Sequence, residues 1–335
     1  MTLRLGQRTY SCWRKRAAPN PRLHPTWLSA LFSEAHTRIE LALLRRCSRR
    51  IRQAGETQPL GGTCIITMKE LTVRPHTSYF VCGTPRSGSS LLCEALKNTG
   101  LAGWPEEYFW REDEPFWRKQ WGVSIYADYL DRAIEQGSTS NGVFGVKVMM
   151  GGGYFEHFVS NLKQLPGYRE RDMSVSEMMP RIFPNLHYIW ITRRNKVRQA
   201  VSWWKAIQSD VWVWTGDNLP TVEKEPEFKF EAIDHLVQEL VMREASWQEY
   251  FTEGGIRPFV VVYEDFVSAY EVVALQILEY LAIPASPDAV FEERKMKKQA
   301  DDSSEEWVKR YRDLKQADWP HEQWEFVASR SWSKE

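Results

Sequence analysis

The segment Tyr79-Phe80-Val81-Cys82-Gly83-Thr84-Pro85-Arg86-Ser87-Gly88-Ser89-Ser90-Leu91-Leu92 carries the residues best placed for chemistry. A short apolar run is followed by a tight Gly/Pro turn and a helical stretch opened by serine. That order aims several backbone N–H groups and a helix dipole at one spot, and such a spot holds an anion. Gly83 and Gly88 have the spacing of the ATPase loop G-x-x-x-x-G-K-[ST]. Ser89 stands where that loop has its lysine, and the cation comes earlier, at Arg86. The expected site is a cradle of Arg86, Ser87, Gly88, Ser89 and Ser90. It would grip a phosphate-like group without being an ordinary ATPase.

Three further constellations have usable chemistry. Arg193-Arg194-Asn195-Lys196-Val197-Arg198-Gln199-Ala200-Val201-Ser202 follows the apolar Tyr188-Ile189-Trp190-Ile191. Arg194 at a strand end and Ser202 eight residues on, in a helix, can bracket one phosphate, the guanidinium in bidentate fashion and the hydroxyl as a further donor. The competing reading is a solvated basic helix start. Gly103-Trp104-Pro105-Glu106-Glu107-Tyr108-Phe109 puts two carboxylates among aromatic rings. Desolvation there would make a glutamate a usable general base, whereas a surface turn would leave both acids solvated. Arg294-Lys295-Met296-Lys297-Lys298-Gln299-Ala300-Asp301 is a basic run placed to close over a nucleotide, with Lys298 and Gln299 as candidate contacts. A charged helix face is its ordinary alternative.

These residues need elements to position them. From Tyr79 onward short β-rich runs alternate with helical stretches. The pattern predicts strands at Tyr79–Cys82, Val143–Met149, Leu186–Thr192 and Pro258–Tyr263. It predicts helices at Ser89–Thr99, Lys196–Gln208 and Tyr270–Leu281. A Gly151-Gly152-Gly153 break follows the second strand. Such alternation implies an α/β three-layer sandwich, a mostly parallel central sheet covered on both faces. Ligands of such sheets bind beyond the carboxyl ends of the strands, so the Gly83 loop and Arg193-Arg194 should face one crevice. Trp104–Gly142 and Asp210–Glu231, rich in Trp, Pro and acids, are the expected substrate-side insertions.

The chain is neutral overall, with 44 basic and 44 acidic residues. This hides an asymmetry. Residues 1–67 hold 11 Arg and one Lys against Glu34, Glu40 and Glu56, an excess of nine positive charges. That Arg-rich stretch reads as a basic extension, disordered or non-native, with Met68 a natural start; a transit peptide is the alternative. No aromatic–basic interleaving accompanies the charge, which argues against nucleic acid. No apolar run is long enough for a membrane span. Five scattered Cys make no disulfide framework, and a reducing cytoplasmic compartment is expected. No Cys/His spacing suggests a metal site. Sixteen Trp serve either core packing or platforms for a sugar-like acceptor.

Taken in order, Thr84 to Leu96, Ala102 to Phe109, Arg193 to Trp203 and Gln299-Ala300-Asp301 with Trp307-Val308 resemble the bacterial trehalose 2-sulfotransferase family, of the P-loop-like sulfotransferase superfamily. The resemblance covers about residues 77–315, leaving residues 1–67 and a tail at 316–335. It implies the sulfotransferase fold, a homodimer, and 3′-phosphoadenosine 5′-phosphosulfate (PAPS) as sulfuryl donor without a metal. It further implies that Arg86 to Ser90 cradle the 5′-phosphosulfate and that Arg194 and Ser202 hold the 3′-phosphate. Glu107 falls on the family's general base, which deprotonates the hydroxyl of a carbohydrate or glycolipid acceptor. Trp104 replaces an acidic residue of that family. Trp104, Glu106, Tyr108 and Phe109 are the expected acceptor contacts. The physical logic agrees. A sulfuryl group carries less charge than a γ-phosphoryl, so backbone N–H groups and Arg86 can serve where a kinase needs Mg²⁺. A P-loop kinase would need a loop lysine and a strand-end acid, for which Asp265 is the nearest candidate. A nucleotide-binding protein that lost catalysis is the third reading.

One expectation concerns the extension. Deleting residues 1–67 should leave the melting temperature and sulfuryl transfer unchanged; loss of either on truncation would refute its reading as a tail.

Overall fold

Strand β1 (Thr77–Gly83) is buried at every position, as a central strand with both faces covered must be. In the computed structural model it lies between β2 (Val143–Met149) and β3 (Leu186–Thr192), and β3 carries β4 (Phe259–Val262) on its outer side. The order is β2-β1-β3-β4, and every pairing is parallel. The structure describes residues 75–168, 172–214, 225–285, 291–292, 294–296 and 301–317. Residues 1–67, the whole predicted extension, lie outside them.

Parallel neighbours need crossovers, and helices supply them. α1 (Ser89–Asn98), α2 (Glu114–Trp121) and α3 (Tyr126–Gln136) lie between β1 and β2. α4 (Tyr154–Lys163) and α5 (Val175–Ile182) lead to β3, and α6 (Lys196–Ser209) and α7 (Phe230–Glu253) lead to β4. α8 (Tyr263–Phe266), α9 (Tyr270–Tyr280) and α10 (Asp302–Ala317) complete the described chain. Among the described residues no helix is long and apolar enough to cross a membrane.

The period of two along β1 divides the core. Tyr79 and Val81 pack with Leu92, Leu96, Ile277 and Leu278 of α1 and α9. Phe80 and Cys82 pack with Tyr129, Phe158, Met179 and Trp247 of α3, α4, α5 and α7. A third cluster joins α6, α7 and α10 through Trp203, Leu240 and Trp307. The three-layer expectation therefore holds, with helices on both faces of a parallel sheet. Most described Trp side chains serve this packing. Trp104 is the one Trp among them that is largely exposed. The substrate-side insertion 104–142 likewise spends its rings on the core, where Trp117 stacks on Trp121 at 5.0 Å.

The sheet order sends β1 to β2 on one side and β3 to the other. That reversal opens a crevice at the carboxyl end of β1, where the loop Thr84–Gly88 sits. Gly88 ends the loop at φ 97°, a left-handed value that side chains rarely adopt. A β-carbon on it would lie 2.4 Å from the Tyr263 ring, so that ring closes over the loop only because the residue is glycine. Gly88→Ala should accordingly cost about 2–4 kcal/mol in urea unfolding, from backbone strain and the ring clash together. Gly100→Ala is the control. It shares a positive φ of 66° but meets nothing within 4 Å, so it should lose only about 1–2 kcal/mol.

Candidate active site

The loop is pinned from three directions. The Gly83 carbonyl accepts from Met150 N at 3.1 Å and from the Trp247 indole at 2.9 Å. Gln199, fully buried in α6, donates its amide to Thr84 Oγ1 at 2.9 Å and to the Pro85 carbonyl at 2.8 Å. Ser87 N donates back to the Thr84 carbonyl at 3.1 Å. A β-carbon on Gly83 would sit 2.9 Å from Ser87 Oγ and 3.3 Å from Ile191 Cγ2, so the Ser87 hydroxyl would have to shift.

α1 begins directly after this turn. Its N-cap, Gly88, offers no capping side chain, and its first turn holds no acid. The first N–H groups of a helix have no intrahelical acceptor, so this end presents uncompensated donors and the positive pole of the dipole. Ser87 Oγ is also buried without a hydrogen-bond partner among the described residues. These features fit a bound anion.

Two guanidinium groups border the loop. Arg86, at φ 62°, donates from Nε to Ser202 Oγ at 3.0 Å and from Nη1 to the Trp212 carbonyl. Burial, and then the neighbouring Arg193, bring its pKa down to about 10, so it remains a cation at neutral pH. Arg193 lies over the Tyr263 ring at 4.7 Å and reaches the Arg86 carbonyl at 3.5 Å. Its Nε is buried without a hydrogen-bond partner among the described residues. Burial lowers its pKa as well, against the pull of Tyr263 and Glu264.

The pairing of Arg194 with Ser202 differs from the expectation. Ser202 turns to Arg86, as above. Arg194 is 60% exposed and closes a fork on Asp265 at 2.8 and 2.5 Å. The reason lies in the backbone turn after β3. Glu264 accepts from the N–H groups of Arg194 and Asn195 at 3.0 and 3.2 Å. The side chain of Arg193 packs inward against the loop, and that of Arg194 points out. Burial works to raise the Glu264 pKa, but those N–H groups and Arg193 outweigh it and hold the carboxylate low. Asp265, the candidate kinase acid, is likewise exposed and occupied by Arg194.

The glutamate segment runs along the outer edge of β2. Lys147 N donates to the Glu106 carbonyl at 3.0 Å, and Glu106 bridges Val146 in parallel. Glu106 pairs with Lys97 at 2.7 Å. Glu107 pairs with Lys147 at 3.2 Å, and Lys147 Nζ donates to Ser90 Oγ at 3.0 Å. A continuous chain thus links Glu107 to the first turn of α1. Burial depresses the Lys147 pKa, but the surrounding acidic groups, Glu107 foremost, reverse the direction, and the net shift is upward.

Tyr108 and Phe109 do not serve as sugar platforms. Phe109 is 1% exposed and stacks on Phe158 at 4.4 Å, inside the core. Tyr108 is buried and donates its hydroxyl to the Trp104 carbonyl at 2.9 Å. Both rings gain by burying apolar area, Tyr108 against Trp117 of α2 at 5.7 Å and Phe109 against Tyr129 of α3 at 6.3 Å. Trp104, 47% exposed, remains open to a ligand. Lys298 and Gln299 lie outside the described residues. The flanks of their segment are anchored: Lys295 N and Met296 N donate to Glu94 at 2.8 and 3.0 Å, and Asp301 pairs with Lys205 at 2.7 Å.

Sequence reasoning passed over Lys147 and Gln199. Lys147 left a trace, a lone charge within an apolar strand of a sheet covered on both faces. Gln199 left none, because its role depends on how α6 packs on the loop.

Comparison with known proteins agrees with this geometry. The model of the Stf0 sulphotransferase family matches residues 78–314. The Trehalose 2-sulfotransferase of Mycolicibacterium smegmatis is 32% identical over 265 residues, covering 70% of this chain and 94% of that protein. The Trehalose 2-sulfotransferase of Mycobacterium tuberculosis is 28% identical over 267 residues, covering 72% and 95%. The match contains the loop, the Glu106-Glu107 edge and the β3–α6 turn, and the chain belongs to the Stf0 sulphotransferase family, an enzyme that transfers sulfuryl groups.

Proposed function

We propose that this sulfotransferase moves a sulfuryl group from PAPS to a hydroxyl of a trehalose-like carbohydrate or glycolipid. The observation that carries this reading is the uncapped, acid-free start of α1, set between the Arg86–Arg193 pair and the Lys147–Glu107 pair. One side is built for a doubly anionic donor, the other for a base. Arg86, Ser87, Gly88, Ser89 and Ser90 hold the 5′-phosphosulfate. Ser202, with Arg194 swung from its exposed contact with Asp265, holds the 3′-phosphate, and Lys298 and Gln299 add donor contacts. Glu107 takes the acceptor proton. Glu106 and the exposed Trp104 bind the acceptor, whose identity the names of the two relatives suggest.

Transfer requires the acceptor oxygen about 3 Å from sulfur, in line with the breaking bond, and a carboxylate on its far side. Glu107 is one-third exposed, which leaves it reachable from the crevice. No metal is needed in this scheme, because the helix N-terminus and the fixed cations meet the developing charge. We further propose a cytoplasmic enzyme acting as a homodimer. Cys82 and Cys93 are free buried thiols, the form that a reducing compartment maintains.

Three measurements test the scheme. Calorimetry should show micromolar binding of 3′,5′-diphosphoadenosine in the presence of EDTA; equal affinity for ATP, or a need for Mg²⁺, would overturn the donor assignment. Glu107→Gln should lower transfer by about 10²–10⁴-fold with diphosphoadenosine binding nearly intact. If Glu106→Gln is the inactive variant instead, the base is one residue earlier. Transfer of radiolabelled sulfate should favour trehalose and trehalose lipids over a panel of other sugars.

A further inference from the structure

Lys147 places a charge where the fold calls for an apolar side chain. β2 turns Phe144, Val146 and Val148 to the α4 face, and Val143 to the face of α1. Lys147 reaches the α1 side of the strand, donating to Ser90 near the buried Cys93. It is 8% exposed. An ammonium in such a place is costly unless it is well partnered, and apolar replacements of buried ion pairs often stabilise a protein. Glu107 alone does not require it, since that carboxylate is one-third exposed and water can solvate it.

The hydrogen-bond geometry shows unused capacity. An ammonium has three N–H donors. Ser90 Oγ at 3.0 Å and Glu107 Oε2 at 3.2 Å take two. The third has no acceptor among the described residues. Ser90 stands in the first turn of α1, beside the uncapped N–H groups, so the ammonium borders the anion position. The loop itself has Ser89 where a lysine would stand.

We infer that Lys147 supplies, from β2, the ammonium that the loop lacks, and that it contacts the leaving-group end of the donor. This rests on the PAPS reading above. In the transfer step the acceptor hydroxyl gives its proton to Glu107, and its oxygen forms a bond to sulfur. The bond between sulfur and the bridging oxygen breaks, and the electron pair stays on the phosphate of 3′,5′-diphosphoadenosine. Lys147 keeps its proton throughout. As Glu107 becomes neutral, the field of the ammonium is no longer divided, and it acts on the oxygen that gains charge. Glu107 and Lys147 are thereby coupled through one contact, and the base and the leaving-group cation change their effect together.

Lys147→Met tests this, with single-turnover transfer from radiolabelled PAPS and calorimetric binding of 3′,5′-diphosphoadenosine. Transfer should fall by about 10²–10³-fold, the usual effect of removing one oriented donor. Binding should weaken by less than about tenfold, and Lys147→Arg should recover at least about tenfold of the lost rate. A purely structural role would not move the next readout. Lys147→Ala should be accelerated by ethylammonium chloride and not by potassium chloride at equal ionic strength. Lys147→Met transfer within about threefold of the parent enzyme, or no gain from Arg, would overturn the inference. If the parent enzyme fails to bind diphosphoadenosine, the donor reading falls first. If it binds and Lys147→Met stays active, only the role of Lys147 falls. Should Lys147→Met not melt cooperatively, Lys147→Gln replaces it, with the same expected and overturning rates.

Discussion

Gln199 Nε2 donates to the Thr84 hydroxyl at 2.9 Å and to the Pro85 carbonyl at 2.8 Å, from a side chain with no exposed surface. An anion-binding turn is useful only when its N–H groups are already aimed, because ordering them on binding would consume the affinity. This one amide does that from outside the loop. Its own position depends on α6, whose start is fixed by a buried network. Lys196 pairs with Glu244 of α7 at 2.6 Å, and Glu244 also accepts from Thr192 at 2.7 Å. The indole of Trp247, one turn further along α7, holds the Gly83 carbonyl. So α7, which contributes no residue to the proposed chemistry, sets both ends of the cradle. Losing a member of this network would leave a buried polar group unpaired, at about 1–3 kcal/mol each.

The electrostatics follow the same economy. Arg86 and Arg193 lie close enough to depress the Arg86 pKa, after burial has done most of that. The two cations repel each other, and the fold sustains that through Glu264, 4.0 Å from Arg193, the Tyr263 face and the carbonyls of Arg86 and Trp212. A bound dianion would turn the repulsion into attraction. Ser87 Oγ and Arg193 Nε, buried without hydrogen-bond partners among the described residues, point the same way. Unpaired polar atoms are uncommon in native interiors, and a bound anion would satisfy these two.

The parts legible in the sequence were those written in local pattern. β2 and β3 end where alternation and flanking breakers end, at Val143–Met149 and Leu186–Thr192. The turn at Gly83 to Gly88 announced itself through residue types that only a strained, anion-binding loop requires. What local pattern could not supply was direction in space. Arg193 and Arg194 are adjacent and chemically equal, and only the turn held by Glu264 decides which of them faces the loop. Tyr108 and Phe109 read as acceptor platforms because they flank the glutamates, yet the core beneath β2 claims both rings. Lys147 passed unremarked inside a predicted strand. Its meaning emerged when β1 and β2 aligned Val81 with Lys147 and brought α1 overhead.

The partners in this site are far apart along the chain. Ser90 and Lys147 are separated by 57 positions, Arg86 and Arg193 by 107, and Arg86 and Ser202 by 116. No fragment, and no folding intermediate lacking the sheet, can assemble them. Closing such long loops is slow and is rewarded only at the end of folding, so the site is among the last features to become complete. Whatever occupies it then senses the whole domain. A ligand present at a hundred times its dissociation constant would add about 2.7 kcal/mol to global stability rather than to one loop. In a cell, the supply of donor would therefore govern the survival of the enzyme as well as its turnover.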